Sequence, residues 1–217
     1  MNTYLTIYYS HLTLSPMETK TEPKQDVKGQ ILCKSEERFS HYGFNKTTMA
    51  EIAKDCEMSA ANLYRYFENK EEIGVHIVEQ CMEQKESLFR DILQNSGLSA
   101  AVMLEKIIVE ELKYLYNEID KNHKIIELVQ FISENHINIV DSHIQRKKAL
   151  IAEVMAQGNR SGEFNISDIL AAADTFITAT MRFWVVPLFF MFKEPLEKLE
   201  PKAINLVRGL INGLKKS

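Results

Sequence analysis

Apolar residues recur every three or four positions along most of the chain, which is the spacing of one face of an α-helix. Beyond the first ten residues, no stretch alternates β-branched and polar residues as a half-buried strand would. Glycine and proline, which interrupt helices, number only 8 and 5. The pattern therefore predicts an all-α protein with long helices.

Capping residues and polar breaks predict where these helices begin and end. Gly43 supplies a left-handed stop after the first helix, residues 117–123 form a polar break, and Ser167 caps a long apolar segment that starts at Asp168. The predicted helical segments cover residues 26–42, 47–56, 59–67, 69–94, 99–116, 125–132, 137–157 and 168–192, with the last helices starting at Pro195 and Pro201.

The stretch from Thr47 to Lys70 differs from the rest because two short amphipathic segments follow each other across a tight turn. Either Thr47 or Thr48 can cap the first segment, and Glu51 lies three residues after Thr48, as a capping box requires. Ser59 can cap the second segment. Two helices of about two turns joined by a three- to four-residue turn describe a helix-turn-helix, whose second helix enters the DNA major groove.

Charge limits the ways in which such a module can bind DNA. The chain has 217 residues and a formal net charge of -4, which argues against a generally basic nucleic-acid coat. Within the module, the cations Lys46, Lys54, Arg65 and Lys70 are outnumbered by carboxylates. Any binding to DNA must therefore depend on the placement of individual cations and amides.

Cysteine use and apolar runs bear on the compartment. The 3 cysteines are odd in number and widely spaced, which favours reduced thiols in a cytoplasmic protein. The first twenty residues lack the basic start and apolar run of a secretory signal. The apolar segment 175–192 contains Arg182 and Pro187, so we interpret it as a helix buried between the core and a partner subunit, with no membrane role.

Residues 26–75 together resemble the N-terminal signature of the TetR family of transcriptional regulators. The resemblance rests on Phe39, Gly43-Phe44, Thr47-Thr48, Glu51-Ile52-Ala53, Met58-Ser59, Leu63-Tyr64-Arg65-Tyr66-Phe67 and Lys70-Glu71-Glu72-Ile73. It implies a homodimeric repressor on a palindromic operator, with the two recognition helices roughly 34–36 Å apart. It also implies release from DNA when a small-molecule effector binds the C-terminal domain.

The same resemblance implies DNA contacts at particular residues. Asn62 has the chemistry to recognise adenine, and Arg65 to recognise guanine or phosphate. The positions that match phosphate contacts are Thr47, Thr48, Tyr64 and Lys70. The positions that match the exposed recognition helix are Ser59, Ala60, Ala61, Asn62 and Arg65, and Tyr66 matches either role.

The chain departs from the family pattern in the turn, where Glu57 stands at a position that is often glycine. A left-handed backbone costs a residue with a Cβ roughly 1–2 kcal/mol, so the turn is tolerable but less favoured. The Glu57 carboxylate also brings negative charge towards DNA, which lowers the expected affinity.

We expect a disordered or weakly ordered extension over residues 1–22, a DNA-binding domain over 23–70, and a helical ligand-binding and dimerisation domain over 71–217. In the last region, aromatic and methionine residues as a group suit a cavity for an apolar or amphipathic effector, although each one alone is more often a core residue. The candidates are Met103, Tyr114, Phe131, Met155, Phe176, Met181 and Trp184.

Enzyme chemistry has little support, because the sequence contains no phosphate-binding loop, His-Glu metal motif or nucleophile elbow. His123, His136 and His143 lack the spacing of a helical metal site, so we expect no metal or cofactor. Two alternatives to a regulator stay open. A helical enzyme or a lipid or small-molecule carrier would act on its ligand without any effect on DNA, and a protein–protein adaptor would keep the helix-turn-helix as a scaffold.

Overall fold

The computed structural model describes residues 26–94, 97–121, 124–192 and 194–214, so the predicted extension over residues 1–22 and His123 lie outside the described residues. Every regular element in these ranges is a helix, which confirms the all-α prediction. The α-helices are α1 (Val27–Tyr42), α2 (Met49–Asp55), α3 (Ala60–Leu63), α4 (Lys70–Gln94), α5 (Ala100–Lys121), α6 (Ile125–Asn135), α7 (Ile137–Arg160), α8 (Ile169–Thr180), α9 (Val186–Met191) and α10 (Leu196–Leu214).

Side-chain caps fix the starts of the N-terminal helices, as the sequence predicts. The Thr48 hydroxyl accepts the Glu51 amide at 3.3 Å, and the Glu51 carboxylate accepts the Thr48 amide at 2.9 Å, so the capping box is complete. Ser59 caps α3, and Asn69 accepts an amide from the first turn of α4. These bonds satisfy amides that have no partner inside their helix.

Two predicted helix ends are wrong. The polar break at residues 117–123 is absent as far as residue 121, because α5 continues to Lys121; glutamate and lysine are good helix formers, so a polar run does not end a helix. Helix α7 continues past the predicted end at Gln157 to Arg160. Its Gly158 is needed for packing, since a Cβ there would lie 2.2 Å from the ring of Phe164.

The long apolar segment predicted from Asp168 to Phe192 is broken into shorter elements. Asp168 itself, and not Ser167, caps α8. A 3-10 turn over Met181–Phe183 then separates α8 from α9. Pro187 falls in the first turn of α9, where a proline removes no helical hydrogen bond. The predicted helix start at Pro201 is wrong, because Pro201 lies inside α10.

Buried apolar side chains form two clusters that share α4. The first contains side chains from α1, α2, α3 and the first half of α4. It also contains Leu128 and Ile132 of α6, which lies later in the chain. The second joins Phe89 and Ile92 of α4 to helices α5, α7, α8 and α10. Helix α4 therefore runs unbroken from the core of the helix-turn-helix into the core of the C-terminal bundle.

Arg38 of α1 fixes the position of α2 through two ion pairs. Its guanidinium lies 2.8 Å from Glu51 and 2.7 Å from Asp55, and only 13% of its side chain is exposed. Lys34, one turn earlier, pairs at 3.0 Å with Glu37 of the same helix, and about half of each side chain is exposed. A partly buried pair between elements should contribute more than an exposed local one.

We expect Arg38→Met to lower the free energy of unfolding by about 1–2 kcal/mol, because it removes both ion pairs that join α1 to α2. Chemical denaturation followed by circular dichroism measures this change. Lys34→Met is the matched control and should change stability much less than Arg38→Met does, because its ion pair is exposed and lies within one helix. Equal effects of the two substitutions would contradict the assignment of Arg38 as the link between α1 and α2.

Candidate nucleic-acid interface

Helix α3 presents one face to solvent because its other face is locked in the first cluster. Leu63 and Phe67 are fully buried, and the Ser59 hydroxyl caps the helix by accepting the Asn62 amide at 3.2 Å. On the outer side, 53% of Tyr64 is exposed, and Arg65 is exposed beside it. The helix is thus held rigidly with polar and aromatic side chains directed outward.

The remaining predicted residues of this segment lie around the same face. Ser59 and Ala61 are exposed, whereas Ala60, Asn62 and Tyr66 are half-buried. The Asn62 amide nitrogen is 3.9 Å from the sulfur of Met58, a weak contact that a base edge can replace. The structure therefore brings these side chains together at one end of the helix-turn-helix.

Thr47, predicted to contact phosphate, lies below this surface, so its side chain is not presented to solvent. Only 2% of Thr47 is exposed, and its hydroxyl donates to the Gly43 carbonyl at 2.8 Å. Thr48 is exposed, but its hydroxyl donates to the Glu51 carboxylate at 2.8 Å. Thr47 therefore closes the loop after α1, while Thr48 can reach a phosphate only if that bond is exchanged.

Lys70, also predicted to contact phosphate, is held by the loop that precedes the helix-turn-helix. Its ammonium donates to the Phe44 carbonyl at 2.7 Å and lies 4.4 Å from the centre of the Phe44 ring. Partial burial lowers the pKa of Lys70, opposed by the charge of Glu127. The first residue of α4 thereby positions the backbone that leads into α2.

Most of the carboxylates that outnumber the cations of this module form ion pairs or hydrogen bonds with other groups of the protein. Glu51 and Asp55 pair with Arg38, and the Glu72 carboxylate accepts the Glu68 amide at 2.6 Å. By contrast, three exposed cations of the module form no ion pair among the described residues, and these are Lys46, Lys54 and Arg65. The acidic excess counted along the chain therefore overstates the negative charge of the surface.

Lys46 is a contact candidate that the sequence resemblance did not select. It is exposed and stands immediately before the buried Thr47 and the capping residue Thr48. Its position in the sequence could have identified it, because a cation beside a helix N-terminus suits a phosphate. Lys46 is therefore a further candidate on this loop.

The turn between α2 and α3 has the left-handed backbone that the sequence predicts. Glu57 has φ 55°, and it alone among described residues other than glycine has a positive φ. Its amide donates to the Lys54 carbonyl at 3.1 Å, and the next amide, of Met58, donates to the Ala53 carbonyl at 2.9 Å. These bonds close the end of α2 in the manner of a glycine-terminated helix.

Helix α6 of the C-terminal region docks against the loop after α1. The Glu127 carboxylate accepts the Asn45 amide at 3.1 Å, and Lys124 donates to the His41 carbonyl at 2.8 Å. Gly43 is required here, because its φ is 95° and a Cβ would lie 2.8 Å from a Glu127 oxygen. These bonds connect the two regions through backbone groups.

A second set of contacts joins the same surfaces. The ring of Phe131 lies 4.9 Å from that of Phe44, between centres, and His136 lies 2.6 Å from the Glu71 carboxylate at the start of α4. Helix α6 therefore holds both the loop after α1 and the first turn of α4.

The structure does not bring all the predicted effector residues together. Phe131 packs against the first cluster, apart from the other C-terminal candidates. Tyr114 is half-buried, with its hydroxyl 3.3 Å from the Cys81 sulfur. The other candidates belong to or pack against the second cluster, and these are Met103, Met155, Phe176, Met181 and Trp184.

Charged groups line two surface hollows among the described residues. One, of about 490 Å³, lies beside α4 and α7, and the other, of about 330 Å³, lies beside α1 and α2. Within the same ranges, no three or more His, Cys, Asp or Glu side chains are placed to hold a metal ion. No helix there is both long enough and apolar enough to cross a membrane.

Comparisons with known proteins match both regions. Residues 31–76 match the family described as bacterial regulatory proteins, tetR family, and residues 100–204 match the family described as tetracyclin repressor-like, C-terminal domain. Among curated proteins, the chain is 28% identical over 158 residues to the HTH-type transcriptional regulator QacR of Staphylococcus aureus. That match covers 68% of this chain and 79% of QacR.

Solved structures share the fold over most of the chain. A transcriptional regulator from Cytophaga hutchinsonii superposes with a TM-score of 0.68 at 23% identity, covering 87% of this chain and 98% of that one. The regulator FadR from Bacillus subtilis, solved in complex with stearoyl-CoA, superposes with a TM-score of 0.61 at 17% identity, covering 82% and 96%. At these identities the likeness concerns the fold.

We expect Glu57→Gly to raise the free energy of unfolding by about 0.5–1 kcal/mol. Glycine removes the left-handed cost of roughly 1–2 kcal/mol but adds entropy to the unfolded chain. Glu57→Gln keeps the Cβ and removes only the charge, so it should leave stability unchanged within about 0.5 kcal/mol. Thermal or urea unfolding of the wild-type protein and the two variants measures these changes. If Glu57→Gln were itself stabilising, the unfavourable free energy at this position would come from the charge of Glu57 and not from its backbone.

Proposed function

This chain belongs to the TetR family of DNA-binding transcriptional regulators, and we propose that it is a repressor that binds a palindromic operator as a homodimer. A small-molecule effector in the C-terminal helical domain releases it from DNA. We assign DNA binding to residues 23–70, sensing and dimerisation to residues 71–217, and the cytoplasm as its compartment. The family is one of regulators, so catalysis is not part of the proposal.

The observation that carries the DNA-binding half is the rigid, outward-facing α3. Leu63 and Phe67 anchor it, Asn62 is half-buried on it, and Tyr64 and Arg65 are exposed directly after it. Arg65 forms no ion pair within the part of the chain that the structure describes. Asn62 suits adenine, while Tyr64 and Arg65 suit phosphate or guanine. Lys46 adds a phosphate contact, and Lys70 acts by holding the loop through the Phe44 carbonyl.

Dimerisation is supported by an exposed face of α10. Gly209 and Gly213 lie one turn apart on this helix, and a Cβ at either position would meet nothing within 4 Å. Glycine inside a helix costs about 1 kcal/mol relative to alanine, and packing within the subunit does not require it here. Close approach of a second helix explains the two glycines, and the half-buried Leu206 and Leu210 beside them supply apolar area.

Helices α4 and α6 provide the route from effector to DNA. A shift of α4 in the second cluster would move Lys70 and the loop that it holds, and α6 would follow through Glu127 and His136. Because binding is linked, an effector that weakens DNA binding must itself bind the DNA-bound form less well.

A lipid-like or other apolar effector is supported by two observations. The C-terminal candidates that stay together are apolar or aromatic, namely Met103, Met155, Phe176, Met181 and Trp184. FadR, which shares the fold, was solved with stearoyl-CoA. We place the effector among these residues, with Tyr114 at the margin.

Selection from a random DNA library should recover a two-fold symmetric sequence with half-sites about one helical turn apart. On the selected site, Asn62→Ala should relax the preference at one base pair per half-site, at a cost of about 1–3 kcal/mol. Lys46→Met should weaken binding evenly across sequences and reduce the salt slope by about 1 per contact, as measured by fluorescence anisotropy.

Lys198→Met, which removes an exposed cation far from the helix-turn-helix, is the control and should leave both quantities unchanged. An adaptor that retains the helix-turn-helix only as a scaffold would give no enriched sequence. That result, or affinity that is insensitive to salt, would overturn the proposal.

Gly209→Leu should weaken the dimer at least tenfold in sedimentation equilibrium, since a bulky side chain separates the two copies of α10. It should not lower the stability of the subunit, because the added side chain meets open space and leucine favours the helix. Lys198→Leu, on the same helix, should leave dimerisation unchanged. A wild-type protein that stays monomeric at micromolar concentration would refute the dimer.

A further inference from the structure

A buried ion pair crosses the second cluster between α5 and α7. The Lys147 ammonium contacts the Glu111 carboxylate, and the two side chains are 0% and 1% exposed. The same ammonium lies 3.7 Å from the centre of the Trp184 ring and 5.8 Å from that of Phe89. Four groups from four elements therefore converge on one point inside an apolar core.

Stability does not explain this pair. Replacement of a buried ion pair by apolar residues of similar volume is often neutral or stabilising, because removing two charges from water is unfavourable. Burial lowers the pKa of Lys147 to about 8, although the charge of Glu111 opposes the shift. The lowered pKa reflects the cost of removing the ammonium from water. A charged pair in such a place suggests a binding role.

One acceptor at this point is unused. Oε1 of Glu111 is buried and has no hydrogen-bond partner among the described residues, whereas Oε2 accepts from Lys147. A buried unsatisfied acceptor is unfavourable, and a ligand that donates a hydrogen bond would remove that penalty. The Glu111 carboxylate is thus suited to a donor.

We propose that Glu111, Lys147 and Trp184 form the polar end of the effector site, and that the effector is an uncharged amphiphile with one hydroxyl or N–H donor. The donor bonds to Oε1 of Glu111, and the apolar body lies among the core methionines and aromatic residues such as Met155 and Phe176. This inference rests on the proposed function and specifies the effector class for the same domain.

Charge balance selects an uncharged ligand. Glu111 and Lys147 already neutralise each other, so a carboxylate would meet the Glu111 charge, and a cation would meet the Lys147 ammonium. Either ion would also lose its hydration in a site with no exposed surface. A neutral donor avoids both penalties and satisfies the free acceptor.

The pair is also connected to α4. His143 lies one turn before Lys147 on α7, and its Nδ1 is 3.0 Å from Glu86 of α4. Arg146 donates to the same Glu86 oxygen at 2.7 Å. A ligand that displaces Lys147 would therefore also move His143 and Arg146, and through Glu86 it would move α4, the helix that begins at Lys70.

Trp184 permits a direct test because it is the single tryptophan of the chain. Its fluorescence can follow titration with decan-1-ol, with nonyl methyl ether, which has the same number of heavy atoms but no donor, and with decanoate. We expect wild-type protein to bind decan-1-ol at least tenfold more tightly than the other two. Equal binding of the ether, tighter binding of decanoate or no binding of decan-1-ol would overturn the inference.

The double variant Glu111→Leu/Lys147→Met removes the pair without leaving a lone buried charge, and it should lose the preference for the alcohol over the ether. The control variant Glu110→Leu/Lys148→Met makes the same two changes at the neighbouring positions of α5 and α7. It should keep the preference for the alcohol over the ether. Glu111→Gln, which retains the shape, should reduce the preference several-fold. An unchanged preference in the first variant would assign the alcohol to another site.

DNA binding of the same proteins separates this inference from the proposed function. If wild-type protein prefers the alcohol but selects no DNA sequence, the regulator proposal fails and the site stands. If wild-type protein binds a selected site and the double variant still responds to decan-1-ol as wild type does, the site fails and the regulator stands.

Discussion

The structure depends on one helix that belongs to two cores. Helix α4 buries Ile73 and Ile77 against the helix-turn-helix and Phe89 and Ile92 against the C-terminal bundle, with no break between them. A helix packed along its whole length transmits displacement because close-packed interiors deform little. Neither core can shift α4 without an effect on the other. Under the proposed function, an effector would need only a difference in affinity between two positions of α4 to act on DNA binding.

Local placement of charge determines what the N-terminal surface offers. Arg38 neutralises the two carboxylates of α2, and those bonds turn Glu51 and Asp55 towards the protein. Lys46 and Arg65 are exposed and form no ion pair among the described residues. A protein with a net charge of -4 can therefore keep exposed cations in its helix-turn-helix, which composition alone does not reveal.

Sequence reasoning predicted features that depend on neighbours within a few residues. The cap at Thr48, the cap at Ser59 and the left-handed Glu57 follow from local hydrogen bonds and backbone sterics. Packing between distant parts of the chain could not be predicted in this way. The position of Phe131 on the first cluster is an example, because an aromatic side chain on an apolar helix gives no indication of which of two cores will receive it.

Thr47 illustrates the same limit within the site. Thr47 and Thr48 are identical in chemistry and adjacent in sequence, yet one hydroxyl is buried on the Gly43 carbonyl and the other lies at the surface. The buried Thr47 hydroxyl closes the loop after α1, and the Glu127 carboxylate, far along the chain, holds the same loop by accepting the Asn45 amide. The position of this loop therefore depends on contacts that lie far apart in sequence. Under the proposed function, the loop that presents Lys46 and Thr48 would belong to the coupling, so a change in α6 would alter the DNA-binding surface without any change in its sequence.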